Sequence, residues 1–217
     1  MTIFGIQAVK NLTNMFGFSC AKHSKMGNRM NIKKIYFDMD GVLADFDRGI
    51  IKLCGIEPMD QLTRSEEDNI NFWEHIARIK HFYDKLEPMD GALEMLNLIC
   101  EKYGDKVEIL TGIPKPYRNI PTAGEDKINW VRRLIDKNLK VNIVFREDKK
   151  QFCTGKDCIL VDDLKTNIDE WEESGGTGIL HISPEDTMKR LEVFGINVSV
   201  KISSRIEINT ASVRKYE

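Results

Sequence analysis

Residues 33–47 read KKIYFDMDGVLADFD, and this stretch decides how the rest of the chain is interpreted. An apolar run suited to a buried strand ends in Asp38 and Asp40, and Gly41 follows at once. Acidic residues are poor strand formers, and a buried carboxylate is costly unless it is paired or coordinates a metal. Two carboxylates one residue apart at a strand end therefore point to a functional site.

Composition limits the classes of partner. The chain has 217 residues, 41% of them hydrophobic, enough for a full core in one domain or in a core with an insertion. A formal net charge of -2 argues against nucleic acid or an anionic membrane as a bulk electrostatic partner. No apolar run approaches the roughly 20 residues of a membrane-spanning helix. Five cysteines without a CxxC pair favour reduced thiols and a cytoplasmic protein.

The two ends of the chain differ from its middle. No Asp or Glu precedes Asp38, while basic residues are present at Lys10, Lys22, Lys25 and Arg29. We expect residues 1–30 to form a flexible extension; organelle targeting, mitochondrial or other, is the less favoured alternative. Residues 201–217 continue an alternating pattern and are expected to form an edge strand or a tail.

Five short apolar runs predict strands that are buried on both faces of a parallel sheet. Their predicted bounds are Ile35–Phe37, Val107–Leu110, Val141–Phe145, Ile159–Val161 and Gly178–Ile182. Helical patterns separate the runs. This alternation predicts an α/β fold with a doubly wound (Rossmann-like) parallel sheet.

Two of the helical patterns carry detailed expectations. In residues 90–104, Asp90 is expected to cap the helix start and Gly104 to stop it. In residues 123–138, an apolar face is expected to face the core, with Asp126 and Lys127 outward; that face comprises Ile128, Val131 and Ile135.

One connection is too long for a simple loop. The stretch from Asp38 to Val107 contains no second strand but carries helical patterns, including Ile70, Trp73 and Ile76 at helical spacing. Loops of such length are uncommon in a compact domain unless they are structured. We therefore predict a small helical cap at residues 45–85, inserted after strand one, with residues 31–44 and 86–200 forming the core.

Polar residues follow the other predicted strands too. In open α/β sheets the site forms beyond the carboxyl ends of the strands. The residues concerned are Thr111 after strand two, Lys149 and Lys150 after strand three, and Asp162 and Asp163 after strand four. Close carboxylates repel unless a cation neutralises them, and oxygen ligands suit Mg²⁺. The set predicts metal-assisted phosphoryl transfer, with an Asp nucleophile and a lysine and a hydroxyl holding the phosphoryl oxygens.

These motifs, taken together, resemble a known family. DMDGVLADF, ILTG, a downstream lysine and ILVDD occur in the order seen in the haloacid dehalogenase superfamily. Within it, DMDGVLADFD with its helical insertion, LEPMDGALEML and ILVDDLKTNIDEWEESGGTGILH resemble the 5'(3')-deoxyribonucleotidases and their bacterial and phage relatives. The resemblance covers Lys33 to Ser183.

The resemblance implies a Mg²⁺-dependent phosphomonoesterase that works through an aspartyl-phosphate. Asp38 is then the nucleophile, and Asp40 is the general acid and base, whose main-chain carbonyl also ligates the metal. Asp38 and Asp162 supply metal carboxylates, with Asp163 in support. Thr111 and a lysine bind the phosphoryl group: Lys149 is favoured, followed by Lys150 and Lys156.

Substrate choice is expected to rest with the cap and with nearby polar groups. As in the related nucleotidases, Phe46, Phe72 and Trp73 are candidates for stacking on a nucleobase, although core packing explains Phe72 and Trp73 at least equally well. Gly112 and Lys150 complete the substrate-binding candidates. The expected substrate is a nucleoside monophosphate. Open alternatives are another small metabolite, a nucleic-acid end, or a non-catalytic phosphate-sensing domain, and the sequence is compatible with a homodimer.

Overall fold

The computed structural model describes residues 31–59 and 63–196. The predicted extension at residues 1–30 and the predicted edge strand at 201–217 lie outside the described residues, as do residues 197–200 of the predicted core. Within the described part of the chain, no helix combines the length and the apolar character needed to cross a bilayer.

The sheet has parallel strands in the order β3-β2-β1-β4-β5, so the doubly wound α/β prediction is confirmed. The strands are β1 Lys34–Phe37, β2 Val107–Gly112, β3 Val141–Val144, β4 Cys158–Asp162 and β5 Thr177–Leu180. The chain builds outward from β1 through β2 to β3 and then returns to the other side of β1. This reversal lies between β1 and β4, where ligands bind in folds of this kind.

Helices cover both faces of the sheet. They are α1 Phe46–Gly49, α2 Glu66–Ala77, α3 Ala92–Tyr103, α4 Ala123–Leu134, α5 Lys165–Glu173 and α6 Pro184–Val193. Alternate residues of β1 enter different cores: Ile35 and Phe37 pack with α3, α4 and α6, whereas Tyr36 packs with Trp171 of α5. This alternation is the period of two that a strand buried on both faces requires.

The long connection after β1 is helical, as its patterns predict. It contains α1, a π-helical turn at Ile50–Cys54, α2 and a 3-10 turn at Tyr83–Lys85. Its two ends meet at the core, where the Asp45 N–H donates to the Glu87 carbonyl at 2.8 Å and the Met89 N–H to the Leu43 carbonyl at 2.9 Å. The role of residues 45–85 as a cap stays a prediction.

Two local expectations are wrong. Gly91, in the left-handed region at φ 76°, occupies the N-cap position of α3 in place of Asp90, whose side chain is exposed. Asp126 and Lys127 of α4 are buried, because both are paired with polar groups from distant parts of the chain.

Candidate active site

The carboxyl ends of the three central strands bring the predicted acids and the hydroxyl to one place. Asp38 follows β1, Thr111 lies near the end of β2, and Asp162 ends β4. The Asp38 N–H donates to the Val161 carbonyl at 2.9 Å, which fixes the end of β1 against β4. Asp38, Thr111 and Asp162 are all buried.

Gly41 allows the loop after β1 to approach Asp163. Its φ of 70° lies in the left-handed region, and an added Cβ would stand 2.2 Å from Asp163 Oδ2. The Gly41 N–H closes the turn by donating to the Ala44 carbonyl at 3.0 Å. A side chain here would both strain the turn and displace a site carboxylate.

Lys149 lies between two of the acids. It belongs to the 3-10 helix Arg146–Phe152 that follows β3, and its side chain is buried. Its ammonium lies 2.9 Å from Asp38 Oδ2 and 2.7 Å from Asp162 Oδ2. Burial alone would lower the pKa of Lys149, but these carboxylates raise it above its ordinary value. Lys149 is therefore a fixed positive charge beside the candidate nucleophile.

Asp162 is already held by donors on both oxygens. Oδ1 accepts from the Leu164 N–H at 2.9 Å and from Asn167 Nδ2 at 2.9 Å. Oδ2 accepts from Lys149 at 2.7 Å and from Asn167 Nδ2 at 3.0 Å. Arg146 donates to Asn167 Oδ1 at 3.0 Å, which orients that amide. Asp162 is thus held in place on both oxygens and in turn fixes the position of the Lys149 ammonium.

The grouping of carboxylates at this end of the sheet suits a divalent cation. Asp38, Asp162 and Asp163 each offer an oxygen within 4.8 Å of the others. Asp38 Oδ1 is buried and has no hydrogen-bond partner among the described residues. Asp163 keeps contact with solvent, but the surrounding protein and the charges of Asp38 and Asp162 raise its pKa to about 8. An all-oxygen set short of positive charge suits Mg²⁺.

Asp40 faces a second buried lysine that the sequence interpretation missed. Lys127 Nζ donates to Asp40 Oδ2 at 2.7 Å, to Thr111 Oγ1 at 2.9 Å and to the Gly112 carbonyl at 2.7 Å. Burial raises the pKa of Asp40, against the lowering effect of Lys127. The only local hint was helical spacing, because Lys127 lies three and four residues before the apolar Trp130 and Val131; its partners come from distant parts of the chain.

Gly112 and Lys150 have different positions relative to the cluster. Gly112 contributes its main-chain carbonyl to the site, and this carbonyl accepts a hydrogen bond from Lys127. Lys150 is exposed, and its ammonium lies 3.8 Å from Glu170 Oε2 on α5. The structure therefore brings Lys149 to the carboxylates and leaves Lys150 outside them.

The aromatic candidates form a cluster on the insertion side of the site. The Phe46 ring centroid lies 6.2 Å from that of Tyr83 and 6.3 Å from that of Phe72. Phe72 is buried, whereas Phe46 and Trp73 are half-buried and keep exposed surface. The Arg118 guanidinium lies 5.5 Å from the Trp73 ring centroid, so the loop after β2 contacts α2.

Sequence comparison with two mammalian proteins agrees with the motifs. The chain is 29% identical over 132 residues to the human mitochondrial 5'(3')-deoxyribonucleotidase, covering 54% of this chain and 57% of that protein. It is 28% identical over 132 residues to the mouse counterpart, covering 54% and 59%. The alignments thus span less than two thirds of the length of these relatives. A haloacid-dehalogenase-superfamily hydrolase from Ehrlichia chaffeensis superposes with a TM-score of 0.40 at 13% identity, over 68% of this chain and 86% of the other.

A family model supplies the assignment. The model described as "5' nucleotidase, deoxy (Pyrimidine), cytosolic type C protein" matches residues 31–190, which include each strand of the sheet and the cluster around Asp38. The resemblance to the deoxyribonucleotidases is therefore confirmed at the level of the family. The chain belongs to the 5' nucleotidase, deoxy (pyrimidine), cytosolic type C family.

Proposed function

We propose that the protein is a Mg²⁺-dependent phosphomonoesterase that dephosphorylates nucleoside monophosphates through an aspartyl-phosphate on Asp38. One observation carries the proposal: Asp38 is buried beside the ammonium of Lys149, while its Oδ1 has no partner among the described residues. A carboxylate whose second oxygen is held and whose first is free is arranged to attack an electrophile. Family membership supports the same class of reaction.

Asp38, Lys149 and Thr111 have complementary roles in this mechanism. Asp38 attacks phosphorus, and the P–O bond to the leaving oxygen breaks as the Asp38–phosphorus bond forms. Lys149 balances the charge of Asp38 and of the phosphoryl oxygens, and the Thr111 hydroxyl donates to one of those oxygens. Fixed donors of this kind stabilise charge as it redistributes in the transition state.

Asp40 moves the proton in both halves of the reaction. In the neutral form, which burial favours, it protonates the leaving oxygen as the first P–O bond breaks. The resulting carboxylate then takes a proton from the water that attacks the aspartyl-phosphate. Inorganic phosphate leaves, Asp38 is restored as a carboxylate, and Asp40 is again neutral.

The free carboxylates are the natural metal ligands. Three carboxylates lie within reach of one ion, those of Asp38, Asp162 and Asp163. Among the described residues, Asp38 has a donor on Oδ2 only, from Lys149, and Asp163 is not held by a strong donor. Asp162 accepts on both oxygens, from Lys149, Asn167 and the Leu164 N–H. We therefore assign Asp38 and Asp163 to Mg²⁺, with the Asp40 main-chain carbonyl that the family resemblance implies, and Asp162 to positioning Lys149. When bound, Mg²⁺ neutralises charge, so that a phosphate dianion can approach a carboxylate.

The aromatic cluster supports a nucleoside as the leaving group. Phe46 and Trp73 keep exposed surface on the insertion side of the site, and stacking on a base is worth about 1–3 kcal/mol per base. The similar human and mouse proteins are both named 5'(3')-deoxyribonucleotidases.

A substrate panel with purified protein tests the proposal. Phosphate release is measured with deoxyribonucleoside and ribonucleoside 5'- and 3'-monophosphates, sugar phosphates and a 5'-phosphorylated oligonucleotide, each with Mg²⁺ or with EDTA. We expect Mg²⁺-dependent turnover that is fastest on a nucleoside monophosphate. Faster turnover of a sugar phosphate or an oligonucleotide end would overturn the substrate, and a stable phosphoprotein without phosphate release would overturn the enzymatic role.

A further inference from the structure

Lys127 is a second buried ammonium in the cluster, and the roles proposed above do not use it. Its side chain is 1% exposed, although it belongs to α4, the helix after β2. An ammonium has three donor hydrogens. Asp40 Oδ2, Thr111 Oγ1 and the Gly112 carbonyl all lie within 2.9 Å of its nitrogen, so its donors are fully used by residues at two strand ends.

The two buried lysines serve different carboxylates. Lys149 contacts the nucleophile Asp38 and its neighbour Asp162. Lys127 contacts Asp40. In the proposed mechanism, one buried lysine therefore contacts the carboxylate that attacks phosphorus, and the other contacts the carboxylate that transfers the proton.

The contact with Lys127 distinguishes the two oxygens of Asp40. An ammonium donates and cannot accept, so Oδ2 is the acceptor and cannot carry its proton toward Lys127. Asp40 Oδ1 is buried without a hydrogen-bond partner among the described residues. The proton of the neutral acid therefore belongs on Oδ1, the oxygen that is left for the substrate.

The same ammonium orients Thr111. Because Thr111 Oγ1 accepts from Lys127 at 2.9 Å, its own hydroxyl hydrogen must turn to another acceptor. In the mechanism proposed above, that acceptor is a phosphoryl oxygen. One lysine thus sets the direction of both the acid and the hydroxyl donor.

Helix α4 is anchored so that Lys127 has little freedom. The neighbouring Asp126 is buried, lies 2.8 Å from His81 Nδ1 and accepts from Thr122 Oγ1 at 2.9 Å. Trp130 Nε1 donates to the Leu86 carbonyl at 2.8 Å. The Tyr83 ring centroid lies 4.8 Å from Lys127 Nζ. The returning arm of the insertion therefore packs directly on the helix turn that carries this lysine.

We infer that Lys127 is a positioning residue for Asp40, holding Oδ2 so that Oδ1 exchanges the proton with the leaving oxygen and then with water. The inference rests on the proposed function, because it assigns Lys127 a part in that reaction. In the first step the proton passes from Oδ1 to the leaving oxygen as the P–O bond breaks. In the second it passes from the attacking water to Oδ1 as the Asp38–phosphorus bond breaks. Lys127 keeps its own protons throughout.

Leaving-group dependence separates this role from simple phosphate binding. p-Nitrophenolate leaves without protonation, whereas the alkoxide of a nucleoside monophosphate needs an acid. Single-turnover release of nitrophenol and of nucleoside is measured for wild type, Lys127→Met and, as a matched control on the exposed face of α4, Arg132→Met. We expect Lys127→Met to slow nucleoside release about 100-fold or more and nitrophenol release less than about 10-fold, with no change in the control.

The ratio of the two rates keeps the test independent of folding. Partial unfolding lowers both rates of one preparation equally, so it cannot produce a selective loss. If Lys127→Met does not fold at all, Lys127→Gln retains a donor and is compared in the same way. Equal losses with the two leaving groups would overturn the inference.

A double-mutant cycle with Asp40→Asn gives the second criterion. If Lys127 acts through Asp40, adding Lys127→Met to Asp40→Asn lowers nucleoside release by less than about threefold further. Multiplicative losses would show that Lys127 acts independently of Asp40, and the inference would fail while the proposed function stood. A wild-type protein inactive on every phosphomonoester with Mg²⁺ would instead reject the proposed function, and the inference with it.

Discussion

The sheet buries carboxylates at both of its ends, and the two ends treat them differently. Near the amino end, Glu108 of β2 is 3% exposed, and its oxygens are paired with Lys34 at 2.5 Å, Lys140 at 3.1 Å and Asn142 at 2.9 Å. Burial alone would raise the pKa of Glu108, but these hydrogen bonds lower it. Its charge is fully compensated within the fold.

At the carboxyl end, the compensation is incomplete. Asp38 Oδ1 and Asp40 Oδ1 are buried without partners among the described residues. Burial raises the pKa of Asp40, and burial with neighbouring charge raises that of Asp163 to about 8. A buried acid that is satisfied by its neighbours stabilises the fold, whereas acids left short of positive charge are poised for a cation and for proton transfer.

The largest expected difference between the two ends is in catalysis. Asp38→Asn removes the proposed nucleophile with little change in shape, and we expect it to lower p-nitrophenyl phosphate hydrolysis by on the order of 10⁴-fold or more. Glu108→Gln should leave that rate within about twofold, because Glu108 lies at the opposite end of the sheet. Steady-state assays at saturating Mg²⁺ measure both. Normal turnover by Asp38→Asn would refute the assignment of the nucleophile.

The second difference is in stability, where the substitution with the effect is at Glu108 and not at the carboxyl end. Glu108→Gln weakens the bonds to Lys34 and Lys140, so we expect the free energy of unfolding to fall by about 1–2 kcal/mol. Urea denaturation measures this change against Glu101→Gln, an exposed glutamate on α3. No loss relative to that control would mean that the Glu108 network adds nothing to the fold.

The smallest effect is a difference in pH dependence. The folded-state pKa of Asp163 is raised from its ordinary value of 3.8 to about 8, so the native state binds a proton more tightly than the unfolded chain. Without Mg²⁺, stability should therefore fall as pH rises from about 4 to 8. Asp163→Asn should flatten this slope, and Asp90→Asn, at an exposed acid, should not. Thermal unfolding in EDTA across this range measures the slopes, and equal slopes in all proteins would contradict the pKa shift.

Local sequence patterns predicted the sheet because its strands are short apolar runs that end in polar residues. Each predicted strand is present, with bounds shifted by one or two residues, as for β1 at Lys34–Phe37 and β5 at Thr177–Leu180. The acids at the strand ends were predictable for the same reason: parallel strands bring their carboxyl ends to one edge.

Lys127 was not predicted, because its burial depends on a partner far away in the chain. Helical periodicity assigned α4 a core face of Ile128, Val131 and Ile135, but the buried face is centred on Trp130 and Val131 and includes Lys127. An ammonium is buried there because Asp40 and Thr111 meet it. Such compensation is a property of the folded arrangement, and no window of sequence around residue 127 contains it.

The different environments of Asp162 and Asp163 also depend on partners from distant parts of the chain. As neighbours after one strand, the two acids look equivalent in sequence. The folded chain places Lys149 and Asn167 on Asp162 and places the tight turn at Gly41 beside Asp163. Only the three-dimensional partners tell the anchored carboxylate from the free one.

Mg²⁺ binding tests most directly the claim that the uncompensated end of the sheet holds a cation beside a transferable phosphoryl group. The thermal midpoint is measured over a Mg²⁺ titration for wild type, for the double variant Asp38→Asn with Asp163→Asn, and for Glu108→Gln as the control. A ligand that binds only the folded state stabilises it by RT ln(1 + [L]/Kd). We predict a saturable rise in wild type and Glu108→Gln that is absent from the double variant. An equal rise in all three proteins would place the cation elsewhere and contradict the account.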